Sequence, residues 1–232
     1  MNEGPLVDVI IPVFNGERYL ATAIESVLAQ DYQPLELVVV DDGSTDSTAA
    51  IIQQYSRVRW LRQPNQGHGV AKNTGLSATR GEFVAFLDAD DVWRPEKARL
   101  QVAQLQQNPA LGYVTCYCQL MRQPGTDWPP WINPVFYESP QPSHLPSALL
   151  ARRSAFERVG PFDPGFWHCN DTDWILRARD AGVPGFQMAE VLYDRRLHAG
   201  NLSNNTAELS AEAFRLLHAS IKRKRASQAR QS

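Results

Sequence analysis

Residues 35–46 read LELVVVDDGSTD, a run of mostly apolar, β-branched residues that stops abruptly at acidic, glycine and hydroxyl residues. Such a run predicts a buried strand that ends in a turn. The same pattern occurs at 7–13, where VDVIIPV leads into FNG, and at 82–87, where EFVAFL leads directly into DADD. Apolar residues at helical spacing separate these runs. The alternation predicts an α/β fold with a mostly parallel sheet and helices on both faces.

Acidic residues follow two of these predicted strands. Asp41 and Asp42 come after the second run, and Asp88, Asp90 and Asp91 come after EFVAFL. Parallel strands end at one edge of a sheet, where ligands bind, so we expect both clusters at that edge. The Asp-X-Asp spacing favours Mg²⁺ or Mn²⁺, with a solvated acidic turn as the alternative. Asp42 is a candidate ligand for a base or a ribose, with an Asx turn as the alternative.

The second half of the chain is less regular. Residues 122–146 contain seven of the 16 prolines, which excludes a helix or a central strand and is typical of a lid or binding loop. Asp171 stands at the start of a predicted helix, where an acid is either a general base or a cap. In RRLHAGNLS, at 195–203, two arginines can face a diphosphate and the histidine can ligate a metal. An edge strand with solvated charges is the alternative there.

Composition excludes several classes of protein. A length of 232 residues with 43% hydrophobic residues suits one domain, and no apolar run is long enough to span a membrane. We find no secretory signal, and three scattered cysteines indicate a reducing cytosol. Residues 1–214 carry 25 acidic and 17 basic groups, which argues against nucleic-acid binding. Gly67-X-Gly69 followed by Lys72 fits neither a dinucleotide fingerprint nor a P-loop.

The order of these motifs resembles that of the family 2 glycosyltransferases, which have the GT-A fold. The similarity covers roughly residues 6–203 and is most specific in the first ninety or so. The segments that carry it are VIIPVFNGERYLATAIESVLAQ, LELVVVDDGSTDST, NQGHGVAKNTGLSATRGEFVAFLDADD, LLARRSAFERVGPFD, NDTDWILRA and RRLHAGNLS. The resemblance implies an inverting transfer of a sugar from a nucleotide-activated donor to an acceptor hydroxyl, with a divalent cation, Mn²⁺ or Mg²⁺.

The resemblance also implies roles for individual residues. Asp171 takes the proton of the acceptor, Asp90 binds the metal, and His198 approaches the metal or the diphosphate. The residues expected around the nucleotide-sugar are Pro12, Val13, Asp41, Asp42, Gly67, Lys72, Asn73, Asp88 and Ala89, to which the motif at 195–203 adds Arg195 and Arg196.

Two positions depart from the family pattern. Asn170 stands where a glutamate is frequent, so the charge next to Asp171 is missing. Lys72 stands where an arginine is frequent, which keeps the positive charge but loses the bidentate fork. Two other functions stay open: a sugar-1-phosphate nucleotidylyltransferase, although the expected N-terminal Gly-rich loop is missing, and a non-catalytic nucleotide- or glycan-binding module.

The expected organisation is a GT-A domain over 1–206, followed by a helix and basic tail over 207–232. Within the domain, residues 1–94 bind the nucleotide-sugar and residues 95–206 bind the acceptor. Expected partners are a UDP- or dTDP-sugar and a glycan or lipid-linked acceptor, with no nucleic acid. The tail over 215–232 carries a charge of +6, so it either contacts an anionic membrane or is a frayed, solvated terminus. The expected location is the cytoplasm or the inner face of the plasma membrane.

Overall fold

Nine strands and seven α-helices make up the part of the chain that the computed structural model describes, residues 4–122, 138–198, 200–201 and 206–229. The strands are β1 (Val7–Val13), β2 (Leu35–Asp41), β3 (Val58–Arg62), β4 (Phe83–Phe86), β5 (Val92–Trp93), β6 (Tyr113–Arg122), β7 (Gln141–Pro142), β8 (Leu150–Arg152) and β9 (Gly185–Leu197). The helices are α1 (Leu20–Leu28), α2 (Thr48–Ile52), α3 (His68–Ala78), α4 (Lys97–Gln107), α5 (Arg153–Val159), α6 (Asn170–Asp180) and α7 (Thr206–Ala229), with a 3₁₀ turn at Pro146–Ala148.

The described strands form one mixed sheet in the order β3-β2-β1-β4-β8-β6-β9-β5, with β7 paired to β6. Strand β1 pairs in parallel with both β2 and β4, and β2 pairs in parallel with β3. Strands β1, β2 and β4 are the three apolar runs of the sequence, and their predicted parallel pairing is confirmed. Beyond β4 the described pairings are antiparallel, except that of β6 with β9.

Strand β1 is buried along its whole length, as its mostly apolar run predicts. Val9 packs on one face of the sheet with Ile24 of α1, in a cluster that also holds α4. Ile10 packs on the other face with Ala71 of α3, in a cluster that also holds α5 and α6. Helices therefore cover both faces of the sheet, and the edge at the carboxyl ends of β1, β2 and β4 stays open for the predicted ligand site.

Asp8 is the charged exception inside β1, and the sequence analysis did not single it out. It is fully buried, and its Oδ2 accepts hydrogen bonds from Arg153 Nη2 at 2.8 Å and from the Gly81 N–H at 2.5 Å. A side chain at Gly81 would place its Cβ 2.8 Å from that carboxylate oxygen and from the Leu6 carbonyl oxygen. Asp8 thereby joins the first strand to α5.

Helix α3 ends at Ala78, because Thr79 is extended, and Gly81 serves the close approach to Asp8. Of the Pro-rich segment 122–146, residues 123–137 lie outside the described residues, and Gln141–Pro142 form a short strand on β6. None of the helices in the described part is long and apolar enough to cross a membrane.

Candidate functional site

A cavity of about 880 Å³ opens at the carboxyl ends of β1, β2 and β4. The start of α6 and the end of β9 complete its wall. Ten of the fourteen residues predicted for the site line it: Pro12, Val13, Asp42, Gly67, Asp88, Ala89, Asp90, Asp171, Arg195 and His198. The cavity wall does not include Asp41, Lys72, Asn73 or Arg196.

The Asp42 carboxylate is held by the loop that leads into α3. Its Oδ1 accepts hydrogen bonds from Gln63 Nε2 at 2.7 Å and from the Gln66 N–H at 2.9 Å, and its Oδ2 accepts one from the Gly67 N–H at 2.8 Å. Asp41 is fully buried beside it, with Oδ1 accepting the Ser44 N–H at 2.8 Å. In this structure both acids shape the loop, and the bond expected from Asp42 to a nucleotide base stays a prediction.

Three acids after β4 have different surroundings. Asp90 Oδ2 lies 2.9 Å from His198 Nε2 and accepts a hydrogen bond from Asn201 Nδ2 at 3.0 Å. Asp91 turns inward, where its carboxylate accepts hydrogen bonds from Ser147 Oγ and the Arg196 N–H. Burial, followed by the nearby Asp90 and Asp88 charges, raises the pKa of Asp91 well above its ordinary value. Asp91 therefore ties the end of β4 to β9.

The charge of Asp88 is poorly compensated. Its carboxylate accepts no hydrogen bond from the described residues. Burial raises the pKa of Asp88 to about 7, and the Asp90 and Asp171 charges add to the rise against Lys72 and Arg195. The described residues contain no ready cluster of three or more His, Cys, Asp or Glu ligands for a metal. Mg²⁺ is bound through one or two carboxylates plus substrate phosphates, so this donor set fits such an ion.

Asp171 is the second residue of α6 and is buried at the cavity. Burial raises the pKa of Asp171, while the Lys72 charge and the N–H groups of Thr172 and Asp171 itself lower it. A carboxylate with a raised pKa is a stronger base at neutral pH. The structure thus places a base candidate in the same cavity as Asp88 and Asp90.

Lys72 and Asn73 do not line the cavity but contact residues near the start of α6. The Lys72 side chain is fully buried, donates to Asn170 Oδ1 at 2.5 Å and lies 4.3 Å from the centre of the Phe162 ring. Asn73 exchanges two hydrogen bonds with the backbone of Phe162. The two positions that depart from the expected pattern, Lys72 and Asn170, are therefore hydrogen-bonded to each other.

Other wall residues were missed by the sequence analysis. The Trp167 ring covers Gly67, whose φ is +91° and where an added Cβ would lie 2.5 Å from the ring. The Trp167 carbonyl is hydrogen-bonded to His68, and burial, followed by the Lys72 charge, lowers the pKa of His68 to about 4. Tyr19 lies against His198, with the ring centres 4.8 Å apart. Trp167 stands in a loop and belongs to no periodic pattern of apolar residues, so nothing in the sequence indicated that it lines the cavity.

Arg196 stands next to the cavity and not in its wall. Its guanidinium lies 4.8 Å from the centre of the Tyr19 ring, and its Nε donates to the Asp90 carbonyl at 3.1 Å. Of the two arginines predicted to face a diphosphate, Arg195 alone lines the cavity.

Comparisons with known proteins bear on the identity of the fold and the site. Residues 8–159 match the sequence model described as "Glycosyl transferase family 2". TuaG, a glycosyltransferase of Bacillus subtilis named for teichuronic acid biosynthesis, is 37% identical over 88% of this chain and 84% of its own length. The mannosyltransferase PcManGT of Pyrobaculum calidifontis, solved with GDP-Man and Mn²⁺, has a TM-score of 0.74 at 18% identity over 95% of this chain and 67% of its own. TarS 1–349 of S. aureus, solved with UDP, has a TM-score of 0.69 at 20% identity over 93% of this chain and 65% of its own.

These matches differ in what they establish. The chain spans about two thirds of the length of several of the matched proteins. The two solved structures, because their identities are low, show the fold alone, which is the predicted GT-A type. The family match covers more than half of the sequence. The chain therefore belongs to glycosyl transferase family 2 and is a glycosyltransferase with an α/β fold of the GT-A type.

Proposed function

We propose that this enzyme moves a sugar from a nucleoside-diphosphate-sugar to an acceptor hydroxyl with inversion, in the synthesis of a cell-surface polysaccharide, lipopolysaccharide or other glycan. The observation that carries this is one cavity that joins Asp90 and His198 to the poorly compensated Asp88 and the buried Asp171. The solved neighbours bind GDP-Man with Mn²⁺ and UDP. In this proposal residues 1–94 bind the donor and residues 95–206 bind the acceptor.

Asp90 and His198 are the residues that would hold a divalent cation, Mn²⁺ or Mg²⁺, next to Asp88. Such an ion, when bound, stabilises the negative charge that develops on the leaving diphosphate. Arg195 lines the same cavity and adds a positive charge toward the phosphates. Pro12 and Val13 at the end of β1, with Gly67 and Ala89, offer the remaining surface for the nucleotide.

The proposed reaction is a single displacement. The acceptor hydroxyl oxygen bonds to the anomeric carbon while the bond from that carbon to the diphosphate oxygen breaks. The electron pair of that bond leaves with the diphosphate, and the hydroxyl proton passes to an Asp171 carboxylate oxygen. Because the attack comes from the face opposite the leaving group, the anomeric configuration inverts.

A donor screen tests this function. We expect one UDP-, dTDP- or GDP-sugar with Mn²⁺ to raise the melting temperature of the full chain, and the same donor to be transferred or slowly hydrolysed. Pyrophosphate formation from a sugar-1-phosphate and a nucleoside triphosphate would instead indicate a nucleotidylyltransferase. Stabilisation without turnover would indicate a binding module, and no response to any donor would defeat the proposal.

We also propose that α7 rests on the cytoplasmic face of an anionic membrane, where lipid-linked acceptors lie. Phe214, Leu217 and Ile221 form one exposed apolar stripe along this helix, and Phe214 is 75% exposed. The basic residues Lys222 and Lys224 follow on the last part of the helix. An apolar stripe with adjacent lysines fits the interface of an anionic bilayer, where each basic residue contributes about 1 kcal/mol.

Vesicle sedimentation tests this membrane contact. The wild type is expected to sediment with phosphatidylglycerol vesicles and not with phosphatidylcholine vesicles. A variant with serine at Phe214, Leu217 and Ile221 should remain in the supernatant with both. If this stripe instead joins two copies of the chain, the wild type will elute as a dimer and the serine variant as a monomer. Equal sedimentation of both proteins would defeat the membrane proposal.

A further inference from the structure

Glu212 lies in α7, more than forty residues beyond the proposed base, and no motif pointed to it. We propose that Glu212 is a positioning residue, which fixes residues 167–169 as a wall of the cavity and sets the start of α6; its effect on catalysis rests on the function proposed above. We call residues 167–169 the wall segment. This assignment makes the C-terminal helix a part of the site.

The Glu212 carboxylate accepts hydrogen bonds from three consecutive backbone N–H groups. Oε1 accepts from Trp167 at 2.9 Å, and Oε2 accepts from His168 at 2.8 Å and from Cys169 at 3.0 Å. The residue is only 9% exposed. Burial raises the pKa of Glu212, but the three N–H donors outweigh it and hold the pKa below its ordinary value. Hydrogen bonds to a charged, largely buried carboxylate are among the stronger ones in proteins.

The wall segment contacts the cavity directly and also precedes the helix that carries Asp171. Trp167, His168 and Cys169 all line the cavity, and the Trp167 ring covers Gly67. Helix α6 begins at the next residue, and Asp171 is its second residue. The negative charge of Glu212 therefore lies next to the N-terminus of the helix that carries the proposed base, where it binds the N–H groups of the N-cap residue Cys169 and of the two residues before it. A shift of the wall segment would move both the Trp167 ring, which covers Gly67, and the carboxylate of Asp171.

Helix α7 has other attachments, so the Glu212 contact can be tested without releasing the helix. Leu216 is buried against Phe166 and Cys169, and Arg215 Nη2 donates to the Gly165 carbonyl at 3.0 Å. Arg223 Nε lies 2.8 Å from Asp180 Oδ2 on α6. A change at Glu212 alone therefore removes the carboxylate and leaves the docking of the helix in place.

The test compares Glu212→Gln with Leu216→Ala, which weakens helix packing but keeps the carboxylate, and with Glu157→Gln, an exposed control on α5. Amide hydrogen exchange of 167–169 is measured in the full chain, together with kcat and KM for the donor found in the screen. Glutamine keeps the shape of the side chain, but its NH₂ group cannot accept a hydrogen bond from the backbone N–H groups that it would face. We therefore expect amide exchange of 167–169 to rise at least about tenfold. We also expect a similar fall in kcat/KM with a raised KM, neither change in Glu157→Gln, and clearly smaller changes in Leu216→Ala.

Three results separate the outcomes. Wild-type exchange and kinetics in Glu212→Gln would overturn the proposal. The same kinetic change in Leu216→Ala, at an equal loss of melting temperature, would also overturn it, because helix docking would then explain the effect. If the wild type transfers no sugar, the proposed function fails, and the exchange measurement still decides whether the contact orders the wall segment. Should Glu212→Gln not fold, Glu212→Asp, which keeps the charge, is expected to give a smaller rise in exchange over 167–169 and is judged by the same criteria.

Discussion

Residues 4–94 and residues 95–229 build their sides of the cavity in different ways. In the first region, β1, β2 and β4 are parallel and end at one edge, so strand direction alone brings Asp42 and Asp88 together. In the second region, side-chain contacts between distant residues place the groups, as when Glu212 holds the N–H of Cys169. A wall set by backbone topology tolerates loss of one side chain, whereas a wall set by such contacts depends on each of them.

The largest expected effect lies in the second region. Asp171→Asn removes the proposed base, so turnover should fall by about 10²–10⁴-fold while donor binding survives. Initial rates and calorimetry with the donor measure the two quantities. Asp31→Asn, at an exposed surface ion pair with Arg99, is the matched control and should leave both unchanged. Near-normal turnover of Asp171→Asn would show that another group takes the proton.

A stability change in the first region comes next. Asp8→Ala leaves Arg153 without its buried partner, so the free energy of unfolding should fall by about 3–5 kcal/mol. Asp31→Ala breaks an exposed pair and should cost less than about 1 kcal/mol. Urea unfolding of both variants gives the comparison. Equal losses would mean that the Asp8 pair contributes no more than a surface pair.

The metal-binding prediction joins the two regions, because Asp90 and His198 come from different halves. Asp90→Ala should weaken the Mn²⁺-dependent affinity for a nucleoside diphosphate at least about tenfold, or ~1.4 kcal/mol. Titration calorimetry with Mn²⁺, and again with EDTA, separates the metal-dependent part. Unchanged affinity in Mn²⁺ would remove Asp90 from the proposed metal site.

The smallest effect concerns pH. Lys97 is fully buried, and burial lowers its pKa to about 8. Above that pH the folded chain loses this proton before the unfolded chain does, up to the ordinary lysine value near 10.4, so stability rises with pH in that window. Relative to Lys97→Met, the wild type should gain on the order of 1 kcal/mol between pH 7.5 and 9.5. Urea unfolding at both pH values measures this gain, and parallel curves for the two proteins would contradict it.

The sequence predicted the first region well because its signals are local. The apolar runs of β1, β2 and β4 each fix a strand, and parallel pairing follows from the helices between them. The family pattern further pointed to Asp171 and Asp90, and the structure brings both to one cavity. Their chemical roles remain predictions.

The remainder depends on contacts that leave no local pattern. Arg153 reaches Asp8 across 145 positions of the chain, and no local pattern around either residue indicates its partner. The resemblance placed Lys72 next to the nucleotide, yet Lys72 does not line the cavity. Its ammonium donates a hydrogen bond to Asn170 Oδ1 and lies over the Phe162 ring instead. Glu212 gave no sequence signal at all, since a charged residue on an amphipathic helix is usually solvated.

Glu212 also follows every strand of the described sheet along the chain, which bears on the order in which the site forms during synthesis. Because folding can begin at the N-terminal part of a growing chain, β1, β2 and β4 can start to pair before α7 has left the ribosome. A nascent chain at that stage would hold part of the sheet but would lack the carboxylate that binds the backbone of the wall segment, so assembly of the sheet and completion of the cavity would be separate events.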